Sequence, residues 1–353
     1  METGNQAPPT DAQQGPARST SRALGSGAFR LAKRFLTLRE GSVIVITVLV
    51  FVYFAVNTSA FFTTSNFKTL LPYFAPIAIL GAGEVLLMIN GEIDLSIGAV
   101  YLFAPFLFYE LSNGGLPLVP SLIIAMLACM LVGAINGFFT AVIGIASFIA
   151  TLGMLLALEG LTLIISHAQP VTAPGTTAGG EMNTFAKIFG GGIYSELIWA
   201  LAIVVVLQVL LVRTRWGIYT VAVGSNRLGA AEAGIKVRLV IIRNFILCSA
   251  CAGLVGVMEA TRTTSVQPDP SGANSILFDG ISAAVIGGTL LLGGSGTVVG
   301  ALIGALFLGI LQDGLIIQGV NADYLSFYQG LAILLAMTAN VYVGKVRKGS
   351  AVG

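Results

Sequence analysis

Between residues 41 and 343 the sequence returns repeatedly to apolar runs long enough to cross a lipid bilayer. The hydrocarbon core of a bilayer is about 30 Å thick and calls for roughly 20 apolar residues in a helix. We read ten such spans, near 41–61, 69–89, 95–111, 117–139, 143–165, 195–212, 240–260, 278–292, 297–317 and 325–343. The runs lack the period-2 alternation of a membrane β-barrel. Composition agrees: 56% of the 353 residues are hydrophobic and only 10% are charged, where a soluble domain carries about 25%. The expected fold is therefore all-α, a polytopic transmembrane helical bundle of about ten spans. The third and eighth runs are short or interrupted by glycine. The stretch 278–317 reads either as a long helix pair or as a half-helix followed by a full one.

Three regions follow. Residues 1–40 form an N-terminal tail, rich in Pro, Gln, Ser, Thr and Gly and expected to be disordered at first, then basic. Residues 41–343 form the transmembrane domain, and 344–353 a C-terminal tail. No apolar segment of signal-peptide type lies near the start, so a cleaved secretory signal is not expected.

Lys and Arg gather on the cytoplasmic side of membrane proteins. Here Arg18, Arg22, Arg30, Lys33, Arg34 and Arg39 lie in the first tail. Arg213, Arg215, Arg227, Lys236, Arg238 and Arg243 lie in the 212–243 stretch, and Lys345, Arg347 and Lys348 in the last tail. Only Lys68, Lys187 and Arg262 fall elsewhere. Ten spans put the three basic segments on one face, so both termini are expected in the cytoplasm; an odd count would separate the tails. The stretches 169–187 and 264–275, polar and rich in Pro and Gly, then lie outside. They are either docking loops for a soluble partner or plain connectors.

Several chemistries are missing. There is no G-x-x-x-x-G-K-[ST] segment, because Gly344–Lys345 is followed by Val346, so ATP binding by a P-loop is not expected. His167 is the lone histidine. Cys129, Cys248 and Cys251 sit inside apolar runs and read as packing residues rather than a disulfide or metal set. No catalytic residues, metal or resident cofactor are expected, and no nucleic acid. Three acids, Glu84, Glu159 and Asp313, fall in or near apolar segments. A charge at mid-bilayer costs about 2.5–3.5 kcal/mol on insertion scales. Such acids either relay a proton or sodium ion or serve as capping or neutral carboxyls.

Two short stretches carry more information. In "YTVAVGSNRLGAAEAGIKV" (219–237), Asn226 can cap a short helix and Gly234 suits the left-handed position that ends one. The small residues Gly229, Ala230, Ala231 and Ala233 leave a surface another protein can approach. In "INGEIDLSIGA" (89–99), Asn90 and Gly91 end one span. Asp94 and Ser96 can accept from the free N–H groups that open the next. Irregular backbone at membrane depth is tolerated where it is buried in protein or lines a cavity. A glycine-rich echo, "LGGSGTVVGA", recurs at 292–301; duplication and convergent use of glycine both explain it.

The chain resembles permease subunits of the ribose/xylose-type family of bacterial ABC importers, relatives of branched-chain amino-acid permeases. The resemblance rests on "GEIDLSIGA" (91–99), "NGFFTAVIGIASFIATLGM" (136–154), "AVGSNRLGAAEAGIKV" (222–237) and "VIGGTLLLGGSGTVVGALIGALFLGILQDGL" (285–315). These occur in family order and cover most of 75–340. Gly91, Asp94, Leu95, Ser96 and Gly98 match a family signature, but Glu92 stands where glycine is common, and Glu159 where a basic residue often occurs.

The resemblance implies an inner-membrane importer. Its other parts would be a second permease, cytosolic ATPases that hold the ATP and Mg, and a periplasmic substrate-binding protein, all around a protein embedded in membrane lipid. Gly224, Ser225, Asn226, Arg227, Gly229, Ala230, Ala231, Glu232 and Gly234 would form the ATPase-coupling helix. Asn90, Gly91, Glu92, Asp94, Ser96, Asn136, Phe148 and Thr151 would border the pathway or its gate. The expected cargo is a small neutral polyol, most simply a monosaccharide. The alternative is an ion-coupled carrier of a small polar solute.

Overall fold

A computed structural model describes the backbone of residues 40–177 and 179–350, with side chains as far as Thr338. The expectations placed on the N-terminal tail lie outside the described residues. Helices α1 (Gly41–Asn57), α2 (Thr64–Ile89), α3 (Ile97–Asn113), α4 (Leu118–Phe138) and α5 (Ser147–Ile165) come first. The short α6 (Thr184–Ala186) follows, then α7 (Ser195–Arg213), α8 (Arg215–Ser225) and α9 (Arg227–Glu232). Last come α10 (Val237–Thr263), α11 (Pro270–Ile286), α12 (Val298–Ile317) and α13 (Ala322–Ser350). The only strands among the described residues are β1 (Val171–Thr172) and β2 (Ser265–Val266), an antiparallel pair with Val171 opposite Val266.

The protein is thus an all-α membrane protein. Among the described residues, six helices are long and apolar enough to cross a bilayer: α2, α4 with its continuation to Ile143, α5, α7, α10 and α12. Helix α1 is apolar but shorter. The eighth expected run is displaced. Its helix starts at Pro270, with Asp269 accepting from Ser271 N–H, and stops at Ile286, before Gly288 turns the chain at φ +89°. Most of the expected 278–292 span beyond Ile286 is therefore loop, and the last part of the expected 264–275 loop is helix. The two polar stretches are also not independent, since β1 and β2 join them. Helix α13 runs past the expected end of its span at 343 to Ser350.

Helix α2 forms the middle of the bundle. Every residue from Phe74 to Ile89 is buried, as befits a helix apolar on all sides. It packs on α10, α11, α12 and α7, while α10 also carries α4 and α3. Helices α4, α5 and α7 instead turn large apolar side chains outward, among them Leu131, Ile149, Leu156 and Val206. Such side chains rest comfortably against lipid tails. Helix α3 is pinned between two neighbours by close backbone approach. A Cβ on Gly256 would sit 2.0 Å from the Tyr101 carbonyl oxygen, and one on Gly98 2.8 Å from that of Ala273. Small residues permit this intimacy, which replaces the hydrophobic effect as the source of helix association in lipid.

Candidate functional site

Helix α9 sits where two breaks in the backbone meet. The first break closes α2. Gly91 takes φ +74°; its N–H donates to Met88 O at 2.8 Å, and Glu92 N–H to Leu87 O at 3.3 Å. This is the Schellman arrangement, which satisfies carbonyls that a helix end leaves free. Helix α9 ends in the same way, with Gly234 at φ +81°, Gly234 N–H on Ala231 O and Ile235 N–H on Ala230 O. At its start, Asn226 Oδ1 accepts from Gly229 N–H at 2.9 Å. A helix of six residues is too short to be stable alone, so these two caps do much to hold its shape.

Arg227 ties α9 to the α2 break. Its guanidinium donates to Asn90 O at 2.9 Å and to Glu92 Oε1 at 2.5 Å. Glu92 is buried while the Arg227 side chain is about half exposed. Behind this pair lies an amide relay. Asn90 Nδ2 donates to Thr220 O at 2.8 Å. Asn244 Nδ2 donates to Asn90 Oδ1 at 2.6 Å and to Leu86 O at 3.2 Å. Trp216 Nε1 donates to Asn244 Oδ1 at 2.7 Å, and the Arg243 guanidinium lies 4.4 Å over the Trp216 ring. The relay binds α2, α8 and α10 into one joint.

The second break, the loop 287–297, seals the joint from another side. Gly294 N–H donates to Ile89 O at 2.8 Å. A Cβ on Gly224 would lie 1.7 Å from Ile89 O, and one on Gly293 2.9 Å from Gly91 N. The two glycine-rich stretches that echo each other in sequence are therefore in contact. Their glycines allow three backbones to meet where any side chain would collide.

A second cluster surrounds Asp94, which is fully buried. Asp94 Oδ1 accepts from Ser96 N–H at 2.8 Å and Ser96 Oγ at 2.6 Å. Asn136 Nδ2 donates to Ser96 Oγ at 2.7 Å. Thr151 Oγ1 accepts from Leu95 N–H at 3.1 Å, and Ser147 Oγ from Ile93 N–H at 3.3 Å. Burial raises the Asp94 carboxyl to about 6, against the pull of the Ser96 and Asn136 hydrogen bonds. The side chains of α4 and α5 thus hold the irregular 93–96 backbone in place.

Several expectations need correction. Ser96 makes no capping hydrogen bond to α3; Asp94 closes a local turn on Ser96 instead. Phe148, expected beside the pathway, is 56% exposed, whereas Asn136 and Thr151 are buried; burial by itself leaves that expectation open. Ala230 does not offer an approachable surface, because it is only 5% exposed. The open face of α9 belongs to Leu228, Ala231 and Glu232. Sequence reasoning missed Ser147, Thr220, Trp216 and Asn244. Asn244, an amide inside an apolar span, carried a signal that could have found it. Of the three membrane acids, Asp313 accepts from Asn66 at 2.9 Å and Glu159 from Asn274 at 3.1 Å. Glu84 is buried beside the Cys248 thiol, and all three cysteines are free and buried.

The α9 joint has the groups for holding and moving, not for bond chemistry. Among the described residues, no three His, Cys, Asp or Glu side chains come together to hold a metal ion. A helical membrane bundle with a capped, half-exposed helix bolted to its central span has the architecture of a transport permease. The chain belongs to the family described as branched-chain amino acid transport system / permease component, which matches residues 66–337. It is similar to the xylose/arabinose import permease protein of Sulfolobus acidocaldarius, 34% identical over 86% of this chain and 85% of that protein. It is also similar to ribose import permease proteins. That of Escherichia coli K12 is 31% identical over 88% of this chain and 96% of the relative. That of Bacillus subtilis strain 168 is 33% identical over 82% and 88%. The chain is a multi-pass membrane permease component and not itself an enzyme; ATP hydrolysis lies on separate subunits.

Proposed function

We propose that this protein is the permease subunit of an ATP-driven importer for a monosaccharide, with a pentose as the first candidate. The relatives named for ribose and for xylose/arabinose import support that cargo, and relatives named as ABC transporter permeases favour an ATP motor over an ion-coupled carrier. In this reading ten segments span the inner membrane, and both termini and α9 face the cytoplasm. A second permease subunit, two cytosolic ATPases carrying ATP and Mg, and a periplasmic binding protein complete the machine.

The observation that carries the reading is the two-sidedness of α9. Its inner side buries Ala230 and is fixed to the α2 break by Arg227 on Glu92. Its outer side presents Leu228 and Ala231 to a partner. Beside it runs a groove of about 510 Å³ lined by Val142, Ala231, Ile235 and Val237. A push on that side reaches α2, α8 and α10 together, because one joint holds all three. Closure of the ATPases would then tilt these helices and open the pathway alternately to each face.

The test is sugar uptake into vesicles with and without the ATPase subunits. Uptake that needs the ATPase supports the proposal, and uptake by the permease alone overturns it. Ala231→Trp on the open side is expected to lower uptake strongly while leaving membrane insertion intact, and wild-type uptake in that variant would remove α9 from the coupling role.

A further inference from the structure

At the far end of α10 from α9 the bundle is hollow. Helix α10 has 27 residues, a length of about 40 Å, so this region lies well away from the α9 joint. Two cavities of about 330 and 350 Å³ adjoin there, sharing Tyr101, Glu259 and Gly272 in their walls. The first is lined by Val266 of β2 and, at its rim, by the exposed Gln267 and Asp269. The second extends along α2 and α12, past Asp279, Ser275 and Gln312. Each volume lies in the range of small-molecule sites.

The lining has an uncommon composition for a membrane interior. Glu259 and Asp279 are acceptors, Arg262 is a donor, Gln312 is both, and Tyr101 offers a ring with a hydroxyl. Arg262 is not free to swing, since it is paired with Glu259 and its Nε lies 3.4 Å from the buried Glu196 carboxylate. Asp279 is held by a hydrogen bond from Gln329. Each of these five side chains is half-buried, and ionisable groups drawn into a membrane bundle mark pathways and binding sites. The arrangement suits a neutral molecule that carries several hydroxyls on a ring. Hydroxyls both donate and accept, so they can bridge the fixed Glu259–Arg262 pair, while the apolar C–H face of the ring packs against Tyr101.

We infer that this double cavity is the vestibule that receives the sugar from the binding protein, with Tyr101, Glu259, Arg262, Asp279 and Gln312 as its hydroxyl-binding lining. The inference rests on the import reading above and adds the place where cargo first sits in the permease. A neutral sugar leaves a site built on hydrogen bonds more readily than an ion leaves an oppositely charged one, as a transport intermediate requires.

The experiment uses the complete transporter in proteoliposomes, with a panel of radiolabelled pentoses and hexoses loaded on the binding protein. Asp279→Asn is expected to lower sugar moved per ATP hydrolysed about tenfold, the effect of one lost charge-assisted hydrogen bond. The amount of assembled complex should stay at the wild-type level. As a second measurement, Ser275→Cys on the exposed rim is labelled with a membrane-impermeant charged thiol reagent. Labelling should stop uptake, whereas wild type, whose cysteines are buried, should be unaffected. Should wild type import a sugar while Asp279→Asn and labelled Ser275→Cys match it, the vestibule is wrong and the importer reading stands. Should wild type import no sugar of the panel, the sugar-importer reading fails and takes the vestibule with it.

Discussion

The two ends of α10 solve opposite problems. At the α9 end, backbones touch. Ile89, Gly224 and Gly293 approach so closely that a single added carbon has no place to go, and nearly every polar group in the joint has a partner in another helix. At the other end the same helices separate around two cavities lined by acids, a base and amides. Close-packed interiors transmit displacement because they deform little, whereas a site through which cargo passes needs room and exchangeable hydrogen bonds. The difference teaches that stiffness and capacity in this bundle are separated along its length, with α2 and α10 running through both.

The largest test of that contrast is Gly224→Val. The added side chain collides with the Ile89 carbonyl, and overpacking of this kind costs about 1–3 kcal/mol or more. Loss of detergent-stable protein, followed by thermal unfolding, is the expected result, while Ser275→Val at the open end should leave the unfolding midpoint unchanged. Equal sensitivity at the two positions would break the comparison.

Asn244→Leu comes next. It removes the amide that serves Asn90, Leu86 and Trp216, and each buried group left unpaired costs about 1–3 kcal/mol. Its effect should appear both in unfolding and in the coupling of ATP hydrolysis to uptake. A variant with wild-type values of both would show that the relay adds nothing to the stiffness of the joint.

A smaller effect is expected from the Arg227–Glu92 pair. A double-mutant cycle with Arg227→Ala and Glu92→Gln should give a coupling energy of about 1 kcal/mol, since solvent screens the half-exposed guanidinium. A value near zero would mean that α9 is held by its caps and Ala230 alone. The smallest change is expected for Phe148→Ala, within about 0.5 kcal/mol of wild-type stability, because the ring is exposed. Uptake measured beside stability then decides its role: a tenfold loss at unchanged stability would place Phe148 on the pathway, and a wild-type rate would take it off.

Much of the local structure was legible in the residues themselves. Asn226 at the start of α9 and Gly234 after its end read correctly because a cap is decided within four residues by short-range hydrogen bonds and backbone torsion. Gly91 ending α2 is the same case. The displaced α11 was misread because apolarity in 278–292 continues through the glycine loop, and composition does not record where φ changes sign. The Asp94 turn was half legible. The residues show a carboxylate near a helix start, but nothing in them distinguishes Ser96 as its partner from Ser96 as a second cap.

By itself the sequence determined the solvent of this protein, the approximate places of its helices and the caps of α9. These are properties of composition and of neighbours along the chain. The tertiary structure alone decided which side of each helix faces protein. Lipid and a helix core are equally apolar, so no periodicity told that Ala230 turns inward and Phe148 outward. It also decided the meeting of Glu92 with Arg227 and of Asn90 with Asn244, residues far apart in sequence whose pairing exists only once α2, α8 and α10 have packed.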